Sequence, residues 1–247
     1  HLLSSDERYG LQKCSVTVGY QLSYPDETIS QLSPQECTKL KREGLYICMI
    51  KNPNPVAKNV TPQLSDAAFI REKVPMTKEE IRHVSICKLH LKSDSVLYDV
   101  GSGTGSIAVE AASLSDDMEV YAIEQKENAV QLITQNKEKH GLENIHVINA
   151  KAPDGMDNLP VPTHAFIGGS SGNLKEIIEA LKAKNPHIRI VINAISMETI
   201  CEIKEILSAY DVKNEDIVQL QVSRSKQIGH YHLMQAENPV WICSFEF

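Results

Sequence analysis

The sequence predicts an α/β fold: a mostly parallel, doubly wound sheet ending in an antiparallel hairpin, preceded by a small α/β fragment. Three observations carry this. From residue 70 onward, short apolar runs alternate with segments of helical period, the rhythm of βαβ units. The last two apolar runs, "DIVQLQVSRS" (216–225) and "NPVWICSFEF" (238–247), have no helix between them, so they pair antiparallel. Before residue 70 the rhythm is absent, and "PNPVAKNVTPQLSDAAF" (53–69) carries prolines and no clear period. The chain therefore divides into a fragment at 1–55, a linker at 56–69 and a main domain at 70–247.

The elements follow in order. "CSVTVGYQLS" (14–23) alternates as a strand does, and "YPDETISQLS" (24–33) reads as a turn. Pro34 opens a helix that runs to Glu43 and stops at Gly44, and "LYICMIKN" (45–52) is a strand. In the main domain, "TKEEIRHVSICKLHL" (77–91) is a helix with Thr77 as N-cap and Glu80 completing a capping box. Strand "SVLYDV" (95–100) runs into glycines and then helix "GSIAVEAASL" (105–114). Strand "EVYAIE" (119–124), helix "NAVQLITQNKEKHG" (128–141) and strand "IHVINA" (145–150) come next. "THAFIGG" (163–169) and "IRIVINA" (188–194) are strands, each followed by a helix, at 174–184 and 197–210. "SRSKQIGHYH" (223–232) reads as a polar, basic loop between the closing strands.

Composition excludes several classes. The net charge is −7 and aromatics are 5%, which argues against a phosphate-tracking or base-stacking surface, hence against nucleic acid. No apolar run approaches the ~20 residues of a membrane span. Six scattered cysteines without a C-x-x-C pair fit buried thiols in a reducing cytoplasm rather than a zinc site. His230 and His232 lack a third ligand nearby, so no metal is expected. The first residues, "HLLSSDERYG", lack a signal-peptide layout and an initiator methionine, so the chain is expected to begin inside a longer protein.

The chemistry centres on "DVGSGTGS" (99–106). A glycine turn after the first strand of an open α/β sheet sits where such sheets bind ligands, and its N–H groups approach a nucleotide closely. The dinucleotide spacing G-x-G-x-x-G fails from Gly101, because Ser106 stands third, but survives from Gly103 in the tolerant form ending at Ala108. The glycines alone leave a hydride carrier and a methyl donor open. Glu124 ends the next strand, where an acid accepts hydrogen bonds from ribose hydroxyls in either case. The D-x-G-x-G-x-G spacing led by Asp99 and the closing hairpin favour S-adenosylmethionine, and with it a class I, Rossmann-like methyltransferase. Neither a Ser-His-Asp order nor a Walker motif is present. Methyl transfer to carbon needs alignment more than a protein nucleophile, and no catalytic residue is assigned.

Other positions face the same cleft. Gly168 and Gly169 stand where base-modifying enzymes carry an acid or amide and two prolines, and they let a flat substrate approach the backbone. Thr77 and the helix start after it offer N–H groups to a carboxylate, and Lys78 and Arg82 share a helical face. Asn193 and Ser196 follow the fifth strand of the domain.

Together, "VPMTKEEIR", "YDVGSGTGSIAVEAA", "VYAIEQKENAVQLITQN", "NAKAPDGMDNLP", "AFIGGSSGNLKEII" and "NPVWI" closely resemble the precorrin-6Y C5,15-methyltransferase (decarboxylating) family of cobalamin biosynthesis, in its C15-methylating, decarboxylating domain. "GYQLSYPDETI" resembles the tail of the C5-methylating domain that precedes it in two-domain versions. The resemblance implies methylation of an anionic tetrapyrrole, a precorrin or cobalt-precorrin, at C15, with decarboxylation of the C12 acetate. It implies donor contacts from Thr77, Asp99, Gly101, Ser102, Gly103, Thr104, Gly105, Glu124, Gln125, Ala152 and Gly168. It implies substrate contacts from Thr77, Lys78, Arg82, Gly169, Asn193, Ser196 and Arg224, with Lys226 and His230 adding charge. It also implies a homotetramer. Lys151 stands where an acid is frequent in the family. Two other readings compete. One is a methyltransferase of this fold acting on RNA or protein, against which the acidic balance weighs. The other is a nucleotide-binding module without turnover.

Overall fold

A computed structural model describes residues 13–41, 43–53 and 61–247, in two compact units divided after Lys58. The first unit holds β1 (Ser15–Tyr20), β2 (Thr28–Leu32), a short helix α1 (Pro34–Cys37) and β3 (Tyr46–Lys51), with the antiparallel order β2-β1-β3. Two expectations change here. Residues 28–32, read as a turn, form a strand paired with β1. The helix from Pro34 ends at Cys37, although its start is capped by Ser33 and Glu36 in a reciprocal box.

The second unit runs α2 (Glu79–Leu89), β4 (Val96–Val100), α3 (Ser106–Ala112), β5 (Glu119–Glu124), α4 (Glu127–Lys139), β6 (Ile145–Asn149), β7 (His164–Ile167), α5 (Leu174–Lys184), β8 (Arg189–Ala194), α6 (Met197–Ala209), β9 (Lys213–Leu220), β10 (Ser223–Ile228), β11 (Tyr231–Ala236) and β12 (Val240–Glu246). Its seven-stranded sheet has the order β6-β5-β4-β7-β8-β12-β9. Neighbours from β6 to β8 are parallel, and β12 lies antiparallel between β8 and β9. The closing hairpin is thus as expected. The segment between its strands is a second hairpin, β10 with β11, rather than a loop.

Parallel strands are covered on both faces, which is why they read as nearly continuous apolar runs. Tyr98, Val100, Ile167, Ile190 and Ile192 pack against Ile177, Ile178 and Leu181 of α5 and Ile203 and Ile206 of α6. The alternate residues Leu97, Val120, Phe166 and Val191 pack against Ile81, Ile86 and Leu89 of α2, Ile107 and Ala111 of α3 and Ile133 of α4. The chain reverses direction across the sheet at β4, whose neighbours are β5 and β7, and this opens a crevice at the strands' carboxyl ends.

The linker expectation is corrected for 61–69. Those residues are fastened to the second unit: Glu110 of α3 accepts the N–H groups of Gln63 (2.5 Å) and Leu64 (2.7 Å), and Phe69 is buried. Residues 56–60 of the predicted linker lie outside the described residues.

Candidate functional site

At the crevice lies a cavity of about 480 Å³, within the size range of small-molecule sites. Its floor is the glycine turn. Gly101 has φ +69°, and a Cβ there would strike the carbonyl oxygen of Gly169, so the two glycine turns meet across the crevice. Gly103 has φ +60°, and a Cβ there would stand 3.1 Å from the carbonyl oxygen of Pro75. The segment before α2 is therefore the wall opposite the turn, and Lys73 through Lys78 line the cavity.

Glu124 closes the side. Its Oε2 accepts the Gly103 N–H at 3.0 Å, and its Oε1 accepts those of Gln125 and Lys126 at 2.9 Å each. A carboxylate has about four lone-pair sites, so one acceptor position on Oε2 remains for a diol at the cavity wall. Gln125 Nε2 donates to Ser171 Oγ at 2.8 Å, joining the β5 and β7 ends. Ala152 and Asn128 line the region beyond Glu124.

Asp99 sits beneath the turn, on the β4 face that packs against α3. Its Oδ2 accepts the Ser102 hydroxyl (2.6 Å) and the Ala108 N–H (3.1 Å), which ties the turn to the helix start. Its Oδ1 has no partner among the described residues. Burial pushes its pKa up to about 7; the two hydrogen bonds oppose this and nearby Glu124 adds to it. Thr104 and Gly105 lie behind the turn, where Asn136 of α4 donates to the Thr104 carbonyl (2.9 Å) and the Ile70 carbonyl (2.8 Å).

Of the residues expected to face a ligand, Thr77, Lys78, Gly101, Ser102, Gly103, Glu124, Gln125, Ala152, Gly168, Gly169 and Asn193 line this cavity. Asn193 also pairs with buried Ser85 of α2, its Nδ2 donating to Ser85 Oγ at 2.9 Å. Arg82 is corrected: it is fully buried, and its guanidinium donates to Glu110 (2.6 Å), Asp66 (3.2 Å), the Thr77 carbonyl (2.8 Å) and the Leu64 carbonyl. A guanidinium spent in this way has no fork left for a substrate carboxylate. Arg224, on β10, is partly exposed, pairs with Glu80 (2.5 Å), lies 3.9 Å from both Asp66 and Glu237, and does not line the cavity. Ser196 caps α6, its Oγ accepting the Thr199 N–H (3.2 Å). The capping box at α2 is absent: Lys78 is the N-cap without a side-chain bond, and Glu80 is the partner of Arg224. His230, His232 and Lys226 lie on the exposed β10–β11 hairpin.

Sequence reasoning missed Lys73, Lys126, Ile195 and the strap at 73–76, all of which line the cavity. A signal existed for Arg82. Ile81, Ser85 and Leu89 fall at i, i+4 and i+8, so Arg82 beside them belongs to the buried stripe of α2.

The comparisons with known proteins agree with this geometry. The family described as "Precorrin methyltransferase domain" matches residues 67–246. A protein of Pyrobaculum calidifontis named "Probable cobalt-precorrin-6B C(15)-methyltransferase (decarboxylating)" is 37% identical over 185 residues, covering 74% of this chain and 94% of that protein. The cobalt-precorrin-6B C(15)-methyltransferase (decarboxylating) of Salmonella typhimurium is 35% identical over 181 residues, 72% of this chain and 93% of its own length. The crystal structure of a precorrin-6y C5,15-methyltransferase from Geobacter metallireducens superposes with a TM-score of 0.72 at 31% identity, covering 78% of this chain and 100% of that one. The sheet order, the crevice at its switch point and a match spanning nearly the whole second unit agree: the chain belongs to the precorrin methyltransferase domain family.

Proposed function

We propose that the chain methylates a precorrin or cobalt-precorrin at C15, with S-adenosylmethionine as donor, and releases the C12 acetate carboxyl as carbon dioxide. The observation that carries this reading is the position of the family match. It covers the glycine turn, Glu124 and the Gly168–Gly169 turn, which line one cavity. The residues present fit the donor. Gly103 leaves a cradle that a Cβ would fill, Glu124 keeps an acceptor for the ribose, and Ala152 offers an apolar contact for adenine. When bound, the donor supplies a methyl group on a sulfonium. The chain's part is to bind and orient. The glycine turn and the strap hold the donor, and Gly169 and Asn193 flank the space left for the acceptor.

The same reading gives a homotetramer, for which the β10–β11 hairpin is suited. Tyr231 is 75% exposed, and Ile228, Leu233 and Met234 stand bare beside it. It also takes the first unit as part of a C5-methylating domain, in line with its own separate three-stranded sheet. A cytoplasmic site agrees with six free cysteines, although only Cys14 and Cys243 are buried as expected; burial pushes the Cys243 thiol up to about 11. Among the described residues no helix is long and apolar enough to cross a membrane. Incubation with the donor and a precorrin intermediate, followed by mass spectrometry, tests the function. The expected product gains one methyl and loses carbon dioxide; an unchanged tetrapyrrole refutes the reading.

A further inference from the structure

Two large apolar side chains stand bare at the carboxyl end of β8. Ile195 is 72% exposed and Met197 is 69% exposed. They flank Ser196, whose own side chain is spent on the α6 cap. The cap fixes the backbone at this turn, so the two apolar neighbours are held in place rather than left to collapse onto the surface. Single exposed hydrophobics are ordinary on soluble proteins. Ile195 is different, because it lines the cavity together with Val222 and Val240, and exposed Met197 follows it two residues on.

This end of the cavity is far from the ribose position. Glu124 closes β5 and Ile195 follows β8, and β4 and β7 intervene in the sheet. Three inter-strand steps separate them by roughly 14 Å. The donor's adenosine end therefore needs no contact with Ile195. Besides Lys126 and Lys151, which follow β5 and β6, two lysines ahead of α2 line the same cavity. Lys78 is half-buried and 3.7 Å from Asp66, and Lys73 is exposed with no acidic side chain within 4 Å among the described residues.

We infer that Ile195 and Met197 form a shelf for one face of a flat acceptor macrocycle, with Lys73 and Lys78 answering carboxylates on its periphery. This rests on the proposed function and names residues that select the acceptor. The face of a conjugated ring offers little to hydrogen bonds. It is held by apolar contact that excludes water, and a thioether such as that of Met197 adapts well to it. Carboxylates at the ring edge need cations on flexible stems, which lysine provides. Bare apolar surface beside Lys73, which has no acidic partner among the described residues, and Lys78, which shares Asp66 at 3.7 Å, thus complements an apolar body with an anionic rim.

The test uses two probes on the full chain. S-adenosylhomocysteine reports the donor end by calorimetry, and uroporphyrin I, a flat tetrapyrrole with peripheral carboxylates, reports the shelf by absorbance titration. Wild type is compared with Ile195→Asn, Met197→Gln, the conservative Ile195→Leu, and Val161→Asn, an exposed apolar control away from the cavity. Ile195→Asn is expected to weaken porphyrin binding about tenfold or more. Met197→Gln should weaken it less, Ile195→Leu should retain it, and donor-product affinity should stay within about twofold. Added salt should weaken porphyrin binding selectively. The inference is overturned if both shelf variants bind porphyrin as wild type does, or if Val161→Asn loses as much. It is also overturned if donor-product binding falls in parallel, or if Ile195→Asn changes the oligomeric mass, which would mean the shelf faces a second copy. Wild type that binds S-adenosylhomocysteine but no carboxylated tetrapyrrole overturns the proposed substrate, and the shelf with it. Wild type that binds neither overturns the proposed function itself.

Discussion

Replacing Arg82 by methionine tests the interior clasp that builds one wall of the cavity. Methionine keeps apolar volume but removes the charge and every donor of the guanidinium. Glu110, with a side chain only 2% exposed, would lose its counter-ion at 2.6 Å. The carbonyls of Thr77 and Leu64 would lose their donors, and the guanidinium's place 4.6 Å over the Phe69 ring would be altered. Breaking one side of a buried ion pair costs about 3–5 kcal/mol. A domain has about 5–15 kcal/mol in total, so a loss of this size is a large share of the margin. The loss is also local, since the clasp fastens residues 63–77 and the strap supplies the wall opposite Gly103. Urea unfolding should show the lower midpoint. Limited proteolysis should cut within 61–78 first, and calorimetry at a temperature where the variant is folded should show weaker S-adenosylhomocysteine binding. Glu110→Gln keeps an acceptor for the Gln63 and Leu64 N–H groups, so it should cost less. A stability loss under about 1 kcal/mol with unchanged donor-product affinity would refute the clasp.

Other outcomes follow from the same geometry. Glu124→Ala removes a charged acceptor, worth about 1.5–3 kcal/mol, so S-adenosylhomocysteine affinity should fall about 10- to 150-fold by calorimetry. Gly103→Val places a branched side chain at φ +60° against Pro75 and should abolish that binding with the protein still folded by circular dichroism. Asp99 has its folded pKa raised from 3.8 to about 7. The folded state therefore binds a proton more tightly than the unfolded chain, and wild type should lose stability as pH rises through about 4 to 7. Asp99→Asn should flatten that slope in urea titrations, and an unchanged slope would count against burial as its cause. Ser196→Ala should cost about 1 kcal/mol in thermal or urea unfolding through loss of the α6 cap, with acceptor binding changed little.

What was legible in the sequence was whatever depends on local order. Continuous apolar runs such as "IRIVINA" marked buried parallel strands, and the Asp99-led glycine spacing marked the ligand turn. Glu124 was found because the end of a strand places it beside that turn whatever else the fold does. The closing hairpin followed from two strands with no helix between them. The inserted hairpin β10–β11 was not found, because its residues are exposed on both faces and carry no apolar alternation.

Only the tertiary structure decided which charges are free. Arg82 and Arg224 looked available as cleft cations because a sequence shows a charge but not its partner. Glu110 and Asp66, which occupy Arg82, lie on another helix and on the upstream strap. Glu80, which occupies Arg224, pairs across 144 positions of chain. The same holds for residues 63–69: they lack helical or strand period, so they read as linker, yet two backbone N–H groups on one buried carboxylate fasten them to the second unit. The sequence alone predicted the fold class and the glycine turn, since these rest on periodicity and spacing along the chain, and the family through the resemblance of its motifs. The choice between a structural arginine and a ligand-binding one, and the identity of the bare surface at Ile195, rest on contacts between distant segments, and those exist only once the chain has folded.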